Sequence, residues 1–165
     1  MPEPETIFSP LVDALPWLVL FLPLMASVAI LMAGRRLPRL SAWLSIGASL
    51  AVFAASLALV NSWAALPNPQ PVETSLAWLS IGQDSQMELE FRIGWRIDGL
   101  SLMMLLIVTG IGSLIHIYSW GYMREDKAIP RYFAGLSLFL FSMLGIVLSN
   151  NLLMTFVFWE LVGVS

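Results

Sequence analysis

Two ionisable side chains stand inside apolar runs of this 165-residue chain, and they are where chemistry could be done. Glu160 follows Phe156-Val157-Phe158-Trp159 and precedes Leu161-Val162-Gly163-Val164. If that run is a membrane helix starting near Asn151, Glu160 lies about 14 Å below its start, close to the middle of a hydrocarbon core about 30 Å thick. An unpaired acid at that depth costs roughly 2.5–3.5 kcal/mol on insertion scales. Its own helical face carries Phe156, Val157 and Val164, which offer no partner. A partner must come from another helix or from water. Burial and a nearby cation act in opposite directions on a carboxyl group's proton affinity. A glutamate held between them loads and releases a proton near neutral pH. The competing reading puts Glu160 at a membrane edge, with Trp159 as an interfacial anchor.

His116 is the second candidate. Thr109, Gly112, Ser113 and Trp120 share its helical face. Small and hydroxylic residues in a membrane helix mark helix–helix contact, so His116 should be buried in protein rather than lipid. Imidazole suits a proton relay; a satisfied structural histidine near a helix end is the alternative. Other chemistries lack their residues. With no cysteine there is no thiolate ligand or nucleophile, and one histidine cannot build a zinc site alone. No Gly-rich phosphate loop, Ser/His/Asp set or paired metal carboxylates occur. No cofactor, no metal and no redox chemistry are expected on this chain itself.

The elements that position these residues follow from composition. Hydrophobic residues make up 58% and charged residues only 12%, about half the share of a soluble domain. Mean hydropathy is +0.82. So few charges cannot coat a soluble surface, and a net charge of −3 without a basic block argues against nucleic acid. The chain reads as an all-α integral membrane protein. Charges cluster, and the gaps between clusters place complete spans at 15–33, 41–66, 99–122 and 132–149. Asn150-Asn151 marks a tight turn into a fifth helix. From Asn151 to Ser165 that helix reaches about 22 Å, too short to cross, which suggests a fragment or truncated product. The N-terminal stretch lacks the basic region of a secretory signal.

Orientation rests on lysine and arginine. Arg35, Arg36, Arg39, Arg124, Lys127 and Arg131 fall in the first and third loops, against Arg92 and Arg96 in the second. The six-to-two excess predicts those two loops inside, with residues 1–14 and the 67–97 loop extracytoplasmic. In that loop Met87, Leu89, Phe91, Ile93, Trp95 and Ile97 alternate with Glu88, Glu90, Arg92, Gly94 and Arg96. Period two predicts a strand. Leu76–Ile81 could pair with it across Gly82-Gln83-Asp84-Ser85 as a β-hairpin on the outer surface, its apolar face inward. A single strand in an open loop is the alternative. Gly135, Ser142, Gly145 and Ser149 form a packing stripe on the fourth helix. The methionines read as core filler, the tryptophans (Trp95 among them) as a boundary belt, and Asp98 with Ser101 as a helix cap.

Read in order, Asp98-Gly99-Leu100-Ser101, His116-Ile117-Tyr118, Tyr122-Met123, Arg131-Tyr132-Phe133, Ser149-Asn150-Asn151-Leu152-Leu153 and Phe158-Trp159-Glu160-Leu161-Val162-Gly163-Val164-Ser165 carry a resemblance. The chain resembles the N-terminal part of the L-subunit family of respiratory complex I, the NADH–quinone oxidoreductase, including its chloroplast counterparts. The Trp-Glu-Leu-Val-Gly stretch is specific for the antiporter-like group, and Asp-Gly-Leu-Ser favours the L type. The likeness covers nearly the whole chain, best from Leu89 onward.

The resemblance implies a proton-translocating membrane subunit, residues 98–165 being the start of its antiporter-like domain. Glu160 would match the family's glutamate on the fifth helix, whose lysine partner lies on a later broken helix absent from this chain. It implies other complex I membrane subunits as partners, NADH, FMN, iron–sulfur clusters and quinone bound by other subunits, and a bacterial inner membrane. The chain departs from the family by stopping after Val-Gly-Val-Ser, where Tyr-Leu-Leu-Ile-Gly usually follows. The rival is a subunit of a multi-subunit cation/proton antiporter, a transporter rather than part of an enzyme.

Overall fold

The computed structural model describes residues 10–33, 38–81, 89–126 and 128–165. Its elements run α1 (Pro10–Ala33), α2 (Pro38–Ala64), β1 (Val72–Ile81), β2 (Leu89–Ile97), α3 (Gly99–Tyr122), α4 (Ile129–Leu148) and α5 (Leu152–Val164). Helices α1 to α4 are long and apolar enough to cross a membrane; α5, at 13 residues, reaches only about 20 Å. The fold class read from the sequence is the one found: four spans, a shorter fifth helix, and a two-stranded sheet between α2 and α3. Three helices start earlier than the charge gaps suggested. Asp13, Arg39 and Arg131 all fall inside helices, because a charge bars a residue from hydrocarbon but not from the interfacial turn of a helix. Pro38 and Pro130 sit in first turns, where the missing N–H is no loss.

Helix α4 is the hub, touching α1, α2, α3 and α5. Its neighbours approach through small residues. Ser27 on α1 donates to the Ala134 carbonyl at 2.8 Å. Ser45 on α2 meets Ser137 at 2.6 Å and the Phe133 carbonyl at 3.3 Å. Ser119 on α3 meets the Tyr132 hydroxyl at 3.0 Å. Ser49, Ser56, Thr109 and Ser142 bond instead to carbonyls of their own helices. The exterior is the reverse. Met25, Met32, Leu31, Met103, Leu114 and Tyr118 are all exposed. The described methionines are thus mostly not core filler, Met123 and Met154 being the buried ones among them. In lipid, expelling apolar side chains from solvent gains nothing, so close backbone approach decides the interior and long side chains turn outward.

The hairpin is real and longer than its sequence signal. β1 pairs antiparallel with β2 from Val72↔Ile97 to Ile81↔Leu89, with an irregularity between Ala77 and Leu79 that leaves Trp78 without a strand partner. Among the described side chains of β2, the expected inward face holds at the base. Trp95 and Ile97 are buried, whereas Ile93, its partner Leu76, and Trp78 are exposed. Trp95 therefore belongs to the core rather than to a boundary belt, packed with Val19, Leu59, Leu105 and Leu148. Met87, Glu88, the proposed 82–85 turn and the side chains of Leu89, Glu90 and Phe91 lie outside the described residues.

Candidate functional site

Asp98 starts α3 as the sequence suggested. Its carboxylate accepts from the Ser101 backbone N–H at 2.8 Å, and the Ser101 hydroxyl accepts from the Asp98 N–H at 2.7 Å, a reciprocal capping box. The Ser101 N–H is the main reason the Asp98 carboxyl sits below the usual value of 3.8. Arg96 lies 3.6 Å away, exposed enough that solvent screens the pair.

The cap carries α3 down to His116, about 27 Å along the helix. His116 is 1% exposed, with Thr109, Ser113 and Ser119 buried on the same side. The histidine is in protein, as its face implied. Its Nδ1 lies 2.7 Å from the Gly112 carbonyl. A carbonyl only accepts, so Nδ1 bears the hydrogen and Nε2 carries the lone pair. Nε2 has no partner among the described residues. The His116 ring borders a furrow of about 200 Å³ between α3 and α4, lined otherwise by apolar residues such as Ile111, Ile115, Leu136 and Phe139, while Nε2 itself is buried. This is a half-satisfied histidine: one nitrogen fixes the ring, and the other is buried without a partner among the described residues.

Glu160 is the ninth residue of α5, about 14 Å from the Asn151 cap. Its carboxylate is exposed on the flank of the chain, and among the described residues it has no hydrogen bond or ion pair. Helix α5 lies against α4 along the small-residue stripe. Phe158 covers Gly145, the Ser165 carbonyl lies 3.7 Å from where a Cβ of Gly135 would be, and Ser149 meets Thr155 at 2.6 Å. The stripe is packing, as read. The α4–α5 turn and the α2–β1 and β2–α3 junctions lie at one end of the bundle, Trp95 bridging to Ser149. Measured from that end, His116 and Glu160 differ in depth by about 13 Å. The fold does not bring them together, so neither hands a proton directly to the other.

Sequence reasoning missed the anchor of α5. Asn151 caps the helix, its Oδ1 accepting from the Met154 N–H at 2.8 Å, while its Nδ2 donates to the Arg92 carbonyl on β2 at 2.8 Å. The signals were present: an Asn before an apolar run is an N-cap mark, and a glycine inside a strand, Gly94, marks close backbone approach. The chain has no cysteine, and the described residues hold no group of three His, Asp or Glu that could bind a metal.

Four helices of membrane-crossing length, with a shorter fifth that carries an acid in its apolar run, make this a polytopic membrane protein. Comparison with known proteins makes this specific. Residues 78–133 match the family described as NADH-ubiquinone oxidoreductase (complex I), chain 5 N-terminus. The chain is 36% identical over 151 residues to NADH-quinone oxidoreductase subunit L of Mycobacterium tuberculosis (strain CDC 1551 / Oshkosh), covering 90% of this chain and 23% of that one. It is 42% identical over 123 residues to the chloroplast NAD(P)H-quinone oxidoreductase subunit 5 of Zygnema circumcarinatum, covering 74% of this chain and 16% of that one. Against the subunit 5 of Anthoceros angustus the identity is 48% over 89 residues, 54% of this chain and 12% of that one. The chain belongs to the subunit L/5 family of complex I. It spans between about an eighth and a quarter of the length of these relatives.

Proposed function

We propose that this chain forms the start of a proton-translocating membrane subunit of NADH–quinone oxidoreductase. It moves protons while NADH, FMN, iron–sulfur clusters and quinone are handled by other subunits of the complex, its partners in the membrane. The observation that carries the reading is Glu160: an acid about 14 Å into an apolar helix, without a partner among the described residues. An acid left unpaired at that depth is expensive, and such residues line proton paths. Its partner is a cation on a helix beyond Ser165, as the family resemblance implies. The direct test is proton pumping by Glu160→Gln in the full-length protein.

His116 is the second proton-handling residue in this reading. Asn at this position can keep the donor to the Gly112 carbonyl but has nothing in place of Nε2. His116→Asn should therefore assemble normally yet lower proton uptake per NADH several-fold. Normal pumping by the Asn variant in vesicles makes His116 a structural residue held by Nδ1 alone.

Sidedness follows from the bases. Arg39, Arg124 and Arg131 lie at the end away from the hairpin, and Arg92 and Arg96 at the hairpin end. The positive-inside tendency puts the hairpin and the N-terminus on the outer face of a bacterial inner membrane. Cysteines placed singly at Leu76 and Arg124, both exposed, should label from opposite sides of sealed vesicles, Leu76 from outside. Labelling of both from one side would reverse this assignment.

A further inference from the structure

The turn between α4 and α5 ties the fifth helix to the hairpin. Asn151 uses both ends of its amide. Oδ1 accepts from the Met154 N–H at 2.8 Å, and Nδ2 donates to the Arg92 carbonyl and to Asn150 Oδ1, each at 2.8 Å. The partners fix the orientation, because a carbonyl cannot donate and a backbone N–H cannot accept. Asn150 in turn donates through Nδ2 to Glu73 Oε1 on β1 at 3.1 Å, and Ser149 bridges to Trp95. Gly94 permits the approach: a Cβ there would meet the Thr74 carbonyl and the Asn150 amide. Both strands are thus joined to the first turn of α5.

Further contacts come from α4: Leu161 and Phe158 pack against the core, and Thr155 meets Ser149 at 2.6 Å. Met154, in its first turn, is its one buried residue, and Phe158 on Gly145 is its main seat further down. That packing is apolar and non-directional, whereas the anchored N-terminus fixes α5 to the hairpin by directional hydrogen bonds. We propose that Asn151 is a positioning residue: by joining the α5 cap to strand β2, it sets the depth and rotation at which α5 presents Glu160. The proposal rests on the reading of Glu160 as a proton carrier. The amide is the group required. Asp keeps the cap, but its second oxygen would face the Arg92 carbonyl and Asn150 Oδ1, acceptor against acceptor. Ser keeps the cap and has nothing that reaches Arg92.

The test uses the full-length protein on a cysteine-free background in the assembled complex. Spin labels at Leu76→Cys on β1 and Val157→Cys on α5, both exposed in this chain, report the hairpin–α5 distance by pulsed EPR, and pumping is read as protons per NADH. Asn151→Asp should assemble, shift or broaden the distance distribution by about 2–3 Å, one or two residues of helix rise, and lower pumping several-fold. Asn151→Ser should do the same more mildly. An unshifted distance in both variants overturns the proposal. So does a shifted distance with full pumping, or failure of both variants to assemble, since the turn would then serve assembly alone. Glu160→Gln, measured in parallel, separates the two readings. If it pumps, the proton-carrier role falls by that result, while a shifted label distance still establishes Asn151 as the anchor of α5.

Discussion

Glu160→Gln in the full-length protein should assemble at normal levels and lose at least about tenfold in coupled proton uptake, as expected for loss of a group that itself takes and gives the proton. Gln keeps the size and a hydrogen-bonding end but cannot ionise. Quinone reduction should fall with pumping, because proton and electron flow are linked in this enzyme class. Glu160→Asp should retain part of the activity, since the carboxylate survives on a shorter stem. A structural glutamate gives the opposite order. Its amide replacement is tolerated, and the shorter acid disturbs packing. The geometry favours the first order: no donor or packed neighbour among the described residues engages the carboxylate, so there is little local structure for Gln to disrupt. The measurement is protons translocated per NADH oxidised in vesicles holding the assembled complex. Full pumping by the Gln variant removes the proton-carrier role.

Much of this architecture was legible because a bilayer imposes a simple rule. Every backbone polar group must be satisfied within the span, so charge-free runs of about 20 residues declare helices whatever their details. The period-two run ending at Ile97 declared a strand in the same way, and the His116 face predicted burial because Gly112 and Ser113 flank it. What the sequence hid was the direction of each long side chain. Methionine and leucine look like core in any hydropathy count, yet Met25, Met32 and Met103 face outward while Ser45, Ser49 and Ser142 are buried. A one-dimensional pattern cannot tell inside from outside when lipid and core are equally apolar. The alternation at Met87–Ile97 was read as one inward face for a related reason. Among the described side chains of that run, Trp95 and Ile97 are buried and Ile93 is exposed, because burial of a strand depends on where it stands and not on its period. The sequence marks Asn151 as a turn residue; its second role depends on strand β2 lying beside it, a contact 59 positions apart in sequence.

Gly145→Ala should reduce the amount of assembled complex sharply, although it adds a single methyl group. A Cβ at 145 would fall on Cγ, Cδ1 and Cε1 of Phe158. The clash is with the root and edge of a ring, not with a flexible tip. The ring cannot swing aside freely, since it packs edge-on against Phe141 with centroids 5.3 Å apart. Overpacking of this kind costs about 1–3 kcal/mol, and here it falls on the main seat of α5 below its first turn. Two other glycines supply the control. A Cβ at Gly47 or Gly121 would meet nothing within 4 Å, so Gly47→Ala should be neutral or stabilising by up to about 1 kcal/mol, the helix-propensity difference. The coupling is tested by a double substitution. Phe158→Leu in the Gly145→Ala background removes the ring that collides and should recover part of the lost assembly, giving a non-additive pair. Thermal stability of the purified complex and the yield of assembled subunit are the readouts. Gly145→Ala indistinguishable from Gly47→Ala would mean that α5 is free to move off α4 without loss. Glu160, two residues beyond Phe158, would then owe its position to the Asn151 anchor alone.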